Sequence, residues 1–352
     1  MSKFDITEID KNFKADVSFE NMNTYNALSE PFEINGVTFD GKKFVRMPEE
    51  IAESVSKGVY GLYANTSGGR IRFRTTTQKI TLTAILPDIT NFNHMPKSGT
   101  GSFDIYDKED YRGFFSCNYK LTESGAYKGS ATLDLKTNDM HDITINFPLY
   151  NNVLAVYISL EKDCALEKPL PEKYKTPIVY YGSSITQGGC ASHAGNAYQN
   201  IISRRLSSNF VNLGFSGSCK AELPMMDYLA TLDMSIFVYD YDHNAPNHEF
   251  LRSTHEIGFK RFREKRPDVP VIMITSADIS TDREKRIEVI RTTYENAVKS
   301  GDKNVYFING DDIYASVGKQ YCTVDKCHPN DLGFFCMANA IEPVIRKILE
   351  EK

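Results

Sequence analysis

The chain has 352 residues, with 41 Lys and Arg against 46 Asp and Glu, a formal net charge of -5. Such a length holds two domains, three at most, at roughly 150 residues each, and a composition of 41% apolar and 25% charged residues is globular rather than low-complexity. No basic excess points to a nucleic-acid partner, and apolar runs such as 236–239 fall far short of the roughly 18 residues of a membrane span.

Residues 1–14 carry charges where a signal peptide needs an apolar stretch, so a cytoplasmic protein is expected. The seven cysteines, scattered from Cys117 to Cys336, form no disulfide framework and read as thiols of a reducing compartment. Tryptophan is absent, so any aromatic platform for a ligand uses Tyr or Phe.

A short helix is expected around residues 48–56. Residues 70–85 then alternate and are rich in β-branched side chains, which predicts strand structure. Further short strands are expected at 101–106, 113–120, 130–136, 141–150 and 152–161, punctuated by turn residues. Strands of this kind without helical periodicity suggest an antiparallel β-sandwich, jelly-roll-like, over residues 1–168. Residues 169–176 read as a linker, within a stretch bearing Pro169, Pro171 and Pro177. From 177 to 352 the pattern changes. Apolar strands at 177–182, 209–215, 235–241, 270–276 and 304–310 alternate with helices at 195–208, 219–231, 247–265, 281–299 and 331–350. That alternation predicts an α/β domain with a parallel sheet covered on both faces. Ligands of such sheets bind at the carboxyl ends of strands.

Three loops at those ends carry chemistry. Gly182-Ser183-Ser184 follows the first strand, Gly214-Phe215-Ser216-Gly217 the second, and Asp242-His243-Asn244-Ala245 the third. Asp325 and His328 lie three residues apart just before the last helix. A serine hydroxyl needs a base to become a nucleophile. A neutral imidazole suits that role, and a carboxylate fixes its tautomer. Ser184, His328 and Asp325 are therefore the candidate catalytic residues. The N–H groups of Ser184 and Gly217 and the side-chain amide of Asn244 are the candidate oxyanion donors.

These blocks resemble the SGNH or GDSL-type esterases, which carry Ser, Gly, Asn and His in that order with an Asp three before the His. The strings GSSITQGGCAS, NLGFSGSC and HPNDLG are similar to a bacterial branch with an N-terminal β-domain bearing a G-x-D-L-Y-type motif, here Gly101 to Tyr106. The resemblance implies a three-layer, flavodoxin-like catalytic domain and a serine ester hydrolase. It favours an acetylesterase acting on carbohydrate, with imported oligosaccharide esters as substrates of a cytoplasmic enzyme. It also implies that Asp104 and Tyr106 sit at the domain interface near the substrate. His243, beside Asn244, is a further candidate substrate contact.

Two positions depart from the family pattern. Ser183 replaces the Asp of Gly-Asp-Ser, and the Gly-x-Asn-Asp block loses both its Gly and its final Asp, leaving Asn247 as a weaker substitute. Cys322, Cys327 and His328 suggest a metal superficially, but no second cysteine pair matches a zinc module, so neither metal nor cofactor is expected. An ordinary α/β-hydrolase fits less well, because its G-x-S-x-G elbow fails at Thr186. A lipase or thioesterase for longer acyl chains and a catalytically weak carbohydrate-binding protein are the alternatives.

Overall fold

The protein is described by a computed structural model over residues 17–277 and 282–351. Residues 1–14, on which the expected location rests, lie outside the described residues.

The N-terminal half is two antiparallel sheets packed face to face. One runs in the order Met22–Asn26, Ala155–Glu161, Lys79–Leu86, Tyr127–Asp134, Lys120–Leu121. The other runs Leu166–Glu167, Arg70–Thr75, His141–Asn146, Asp104–Asp107, Asp110–Phe114. The alternating stretch at 70–85 is two strands, one in each sheet. Thr77 turns the chain between them, its N–H donating to Thr75 Oγ1 at 3.1 Å. Alternation then does the packing. Ile71 and Phe73 of one strand face Ile80, Leu82 and Ala84 of the other, all fully buried in one core.

The C-terminal half is a five-stranded parallel sheet in the order Ser208–Gly214, Tyr174–Gly182, Ile236–Asp240, Val271–Ile274, Val305–Ile308. Strand Tyr174–Gly182 reads apolar from Ile178 onward because both faces are covered there. Ile178 and Tyr180 join the core under helices Tyr198–Leu206 and Asp331–Glu350. Val179 and Tyr181 join the core under Leu223–Leu229, His248–Lys265 and Arg283–Lys299. The strand begins at Tyr174, inside the expected linker, because Tyr174 already pairs with Ser208. None of the described helices is long and apolar enough to cross a membrane. Gly182 is in register with Gly214 on one side and Asp240 on the other, so three loops leave the sheet at the same level.

The two halves are joined by buried polar groups. The Arg46 guanidinium, 5% exposed, donates to the carbonyls of Gly214 (2.6 Å), Asn212 (3.2 Å) and Leu62 (2.8 Å). Burial lowers its pKa to about 9, still enough to keep it charged at neutral pH. Asp104 is fully buried and accepts from Asn146 Nδ2, His193 Nδ1 and Gly195 N, each at 2.6 Å. Tyr111 stacks on His193 with centroids 4.3 Å apart, and Arg204 lies 3.9 Å over the Tyr106 ring. Asp104 and Tyr106 thus sit in the seam between domains, occupied by protein partners.

A buried carboxylate with three donors is costly to delete, because each donor is left unsatisfied. Asp104→Ala is expected to destabilise the protein by roughly 3 kcal/mol or more, read as a shift of the urea unfolding midpoint.

Candidate active site

The nucleophile turn follows from strand geometry and a cap. The strand ends at Gly182, where a Cβ would lie 2.0 Å from Thr186 Oγ1 and 2.6 Å from the Asp240 carbonyl. Only glycine fits that approach. Ser183 then caps the short helix Ser184–Gln187, its Oγ accepting from Ile185 N at 3.1 Å. Thr186 Oγ1 donates to Asp240 Oδ2 at 2.9 Å beneath the turn, and burial pushes that carboxyl up to about 6. Ser184 itself is 7% exposed at the sheet edge.

Its Oγ lies 2.8 Å from His328 Nε2, and His328 Nδ1 lies 2.7 Å from Asp325 Oδ2. Asp325 Oδ1 accepts from the backbone N–H of Cys327 (3.1 Å) and of His328 (2.7 Å). The three-residue spacing is therefore an Asx-type turn: one carboxylate oxygen sets the backbone, the other meets the imidazole. Burial raises the Asp325 pKa, but these N–H groups and the ring outweigh it and hold the carboxyl below its ordinary value. Asn330 caps the helix that follows, accepting from Gly333 N at 3.0 Å.

The loops beside Ser184 present the remaining groups. Gly217 has φ +67°, a left-handed backbone that glycine adopts without strain. Gln187 ties the first two loops together, because its Oε1 accepts from Ser216 N at 3.0 Å while its Nε2 reaches Asn65 Oδ1 at 3.1 Å. Asn244 follows the neighbouring strand, and its Oδ1 is buried without a partner among the described residues. The N-terminal domain closes the near side. Tyr150 OH donates to the Ser184 carbonyl at 3.2 Å, and Phe92, 38% exposed, meets Tyr150 edge-on with centroids 5.3 Å apart.

Residues 175–346 match the GDSL-like lipase/acylhydrolase family, and residues 22–166 match the GxDLY family, the N-terminus of Esterase_SGNH_hydro-type. The chain is a two-domain member of the SGNH/GDSL family. A putative GDSL-like lipase from Bacteroides ovatus ATCC 8483 is 29% identical, with TM-score 0.82 over 94% of this chain and 98% of that one. The salicylyl-acyltransferase SsfX3 from a tetracycline biosynthetic pathway is 16% identical, with TM-score 0.75 over 94% and 98%. An acetyl xylan esterase from the rumen bacterium Butyrivibrio proteoclasticus is 13% identical, with TM-score 0.57 over 94% and 99%. These last two share the fold. No curated protein matches the sequence.

Both departures from the SGNH pattern now have a physical account. Ser183 supplies the helix cap that an Asp gives as well. The Asn244 loop, without its Gly and Asp, is held instead by Arg286. This guanidinium donates to the Asp242 carbonyl (2.9 Å), Asp242 Oδ1 (3.1 Å) and the Ala245 carbonyl (2.9 Å). Burial lowers its pKa, but Asp282 and Asp242 outweigh that and raise it. Asn247 caps the helix His248–Lys265, its Oδ1 accepting from Phe250 N at 2.8 Å. His243 lines a small cavity behind the nucleophile turn with Ile185, Asp240 and Cys327.

Arg286 and Gln187 were invisible to spacing arguments. Arg286 sits on an amphipathic helix whose charges read as a solvated face, and only the Asp-x-x-Ala loop, stripped of its usual residues, hinted that a clamp was needed. Arg286→Lys keeps the charge but cannot span three acceptors. Misplacing the Asn244 loop is expected to lower kcat roughly a hundredfold with little change in KM, measured by steady-state ester hydrolysis on the folded variant.

Proposed function

We infer that the protein is a serine carboxylic ester hydrolase that removes O-acetyl groups from carbohydrate. The observation that carries the chemistry is the unbroken hydrogen-bond chain from Ser184 through His328 to Asp325. Ser184 Oγ attacks the ester carbonyl as His328 Nε2 takes its proton, and Asp325 stabilises the imidazolium. The N–H groups of Ser184 and Gly217 and the amide of Asn244 receive the oxyanion. His328 then protonates the leaving alkoxide, leaving an acyl-Ser184. Water, deprotonated by His328, releases acetate and restores the serine.

The acetyl-carbohydrate assignment has two supports. Ser184 is 7% exposed, and a Cβ on nearby Gly189 would come within 3.1 Å of the His328 ring, so room around the relay is tight and the acyl side suits a small group. The exposed face of Phe92 beside it suits a sugar ring, which stacks on aromatics. Neighbours of the same fold include family two carbohydrate esterases and the acetyl xylan esterase.

Hydrolysis of p-nitrophenyl acetate, butyrate and octanoate tests the acyl preference, with acetate expected fastest and octanoate slowest. A faster octanoate ester overturns it in favour of a lipase. Ser184→Ala is expected to lose roughly ten-thousand-fold in kcat, and Asn244→Ala roughly a hundredfold or more. Release of acetate from acetylated xylo-oligosaccharides, followed by mass spectrometry, checks the alcohol side.

The pH profile follows from the same relay. Asp325 is held below its ordinary pKa and stays ionised across the working range. Its pairing therefore contributes stability above about pH 4, lost as the pH falls through the lowered pKa. The relay needs an unprotonated base to take the serine proton, so kcat/KM is expected to fall towards acid pH. A profile flat down to pH 4 excludes an imidazole base.

A further inference from the structure

Outside the relay, one group of side chains crowds the base without serving it. His94, on the loop that precedes the helix Lys97–Thr100 of the N-terminal domain, lies with its ring 5.6 Å from that of His328. Cys190, 4% exposed, sits in the turn after the nucleophile helix and its Sγ lies 3.6 Å from the His94 carbonyl. One ligand atom from each of His94, Cys190 and His328 falls within 4.8 Å of the other two.

We propose that His94, Cys190 and His328 form an inhibitory site for a soft divalent cation, zinc above all, that switches the enzyme off by taking the lone pair of its base.

The donor set is two imidazoles and a thiol, the N and S ligands that zinc prefers over hard cations. Zinc bonds of roughly 2.0–2.3 Å require donors roughly 3.3–3.8 Å apart, so the three must close by about 1 Å. His94 is exposed on a loop, so turning its side chain about χ1 and χ2 is the movement that closes the set. The outer shell is already built. Asp325 Oδ2 accepts from His328 Nδ1 at 2.7 Å, the carboxylate–histidine arrangement that orients metal-bound imidazoles. A hydrogen-bonded Nδ1 leaves Nε2 as the only donor of His328, and that is the atom that faces Ser184.

Charge also closes. The zinc dication, the Cys190 thiolate and the Asp325 carboxylate sum to zero. Burial and the Asp325 charge push the Cys190 thiol up to about 12, so without metal it stays protonated. Binding therefore releases one proton from Sγ to solvent and forms the S–Zn bond. The fourth position is left for water or Ser184 Oγ. With Nε2 bound to zinc, no base remains to receive the serine proton, and turnover stops. Removing the metal restores the lone pair, so inhibition is reversible.

The site itself rests on geometry alone; only the loss of turnover rests on the esterase reading. Two measurements keep them apart. Cobalt(II), a spectroscopic stand-in for zinc, is added to the full chain and absorbance is followed without substrate. A thiolate-to-cobalt charge-transfer band is expected, absent in Cys190→Ala. Zinc chloride is then titrated against hydrolysis of p-nitrophenyl acetate, with a chelator to reverse it. The half-inhibiting zinc concentration is expected to rise about tenfold or more in His94→Ala, each variant being compared with its own uninhibited rate. His94 is exposed, so this variant folds even where Cys190→Ala does not. No cobalt band in the unmodified protein, or identical zinc titrations with and without His94, overturns the proposal. A band in a protein that hydrolyses no ester keeps the site and sinks the esterase reading instead.

Discussion

The division of labour within one carboxylate sets the rest of the site. Asp325 gives one oxygen to two backbone N–H groups and the other to the imidazole. The first pair fixes the path of the chain into the last helix. The second bond fixes which nitrogen of His328 points at Ser184. An aspartate one position earlier or later would break one of these two jobs. The compact Asp-x-x-His spacing thus places a base with very little chain, and the ordering entropy is met locally.

Around that turn, the sheet supplies alignment and the β-sandwich supplies support. The level exits of three strands start the loops that carry Ser184, Gly217 and Asn244 at one end of the sheet. Gln187 joins the first two loops and reaches Asn65 of the other domain, Arg286 holds the third, and Tyr150 supports the Ser184 carbonyl. None of these groups needs to touch substrate. Each removes a degree of freedom from one that does, which is what preorganised electrostatic stabilisation requires.

Periodicity made the architecture legible, since a sheet covered on both faces writes continuous apolar strands between amphipathic helices. The four polar blocks stood out because chemistry needs specific residue types at strand ends. Boundaries were less legible. Tyr174 joins a strand through its partner Ser208, a pairing between residues far apart in the chain. The resemblance put Asp104 at the domain interface, but the same reason hid its partners. A carboxylate in an alternating strand looks solvated, and nothing nearby in sequence says that His193 and Gly195 will bury it. Ser183 was read as a lost Asp, whereas its helix-capping oxygen keeps the role that the position requires. Long-range partners of single polar residues leave no periodic trace, and there a reading of the chain stops.

The buried guanidinium of Arg46 has one more consequence. It lies under the nucleophile strand's neighbour, bonded to carbonyls on both sides of the seam. Cut apart, the halves would exchange the two buried bonds from Arg46 to Asn212 and Gly214 for contacts with water, and the strand end at Gly214 would lose that tether. The β-sandwich is thereby a part of the catalytic half's frame rather than a loosely tethered appendage.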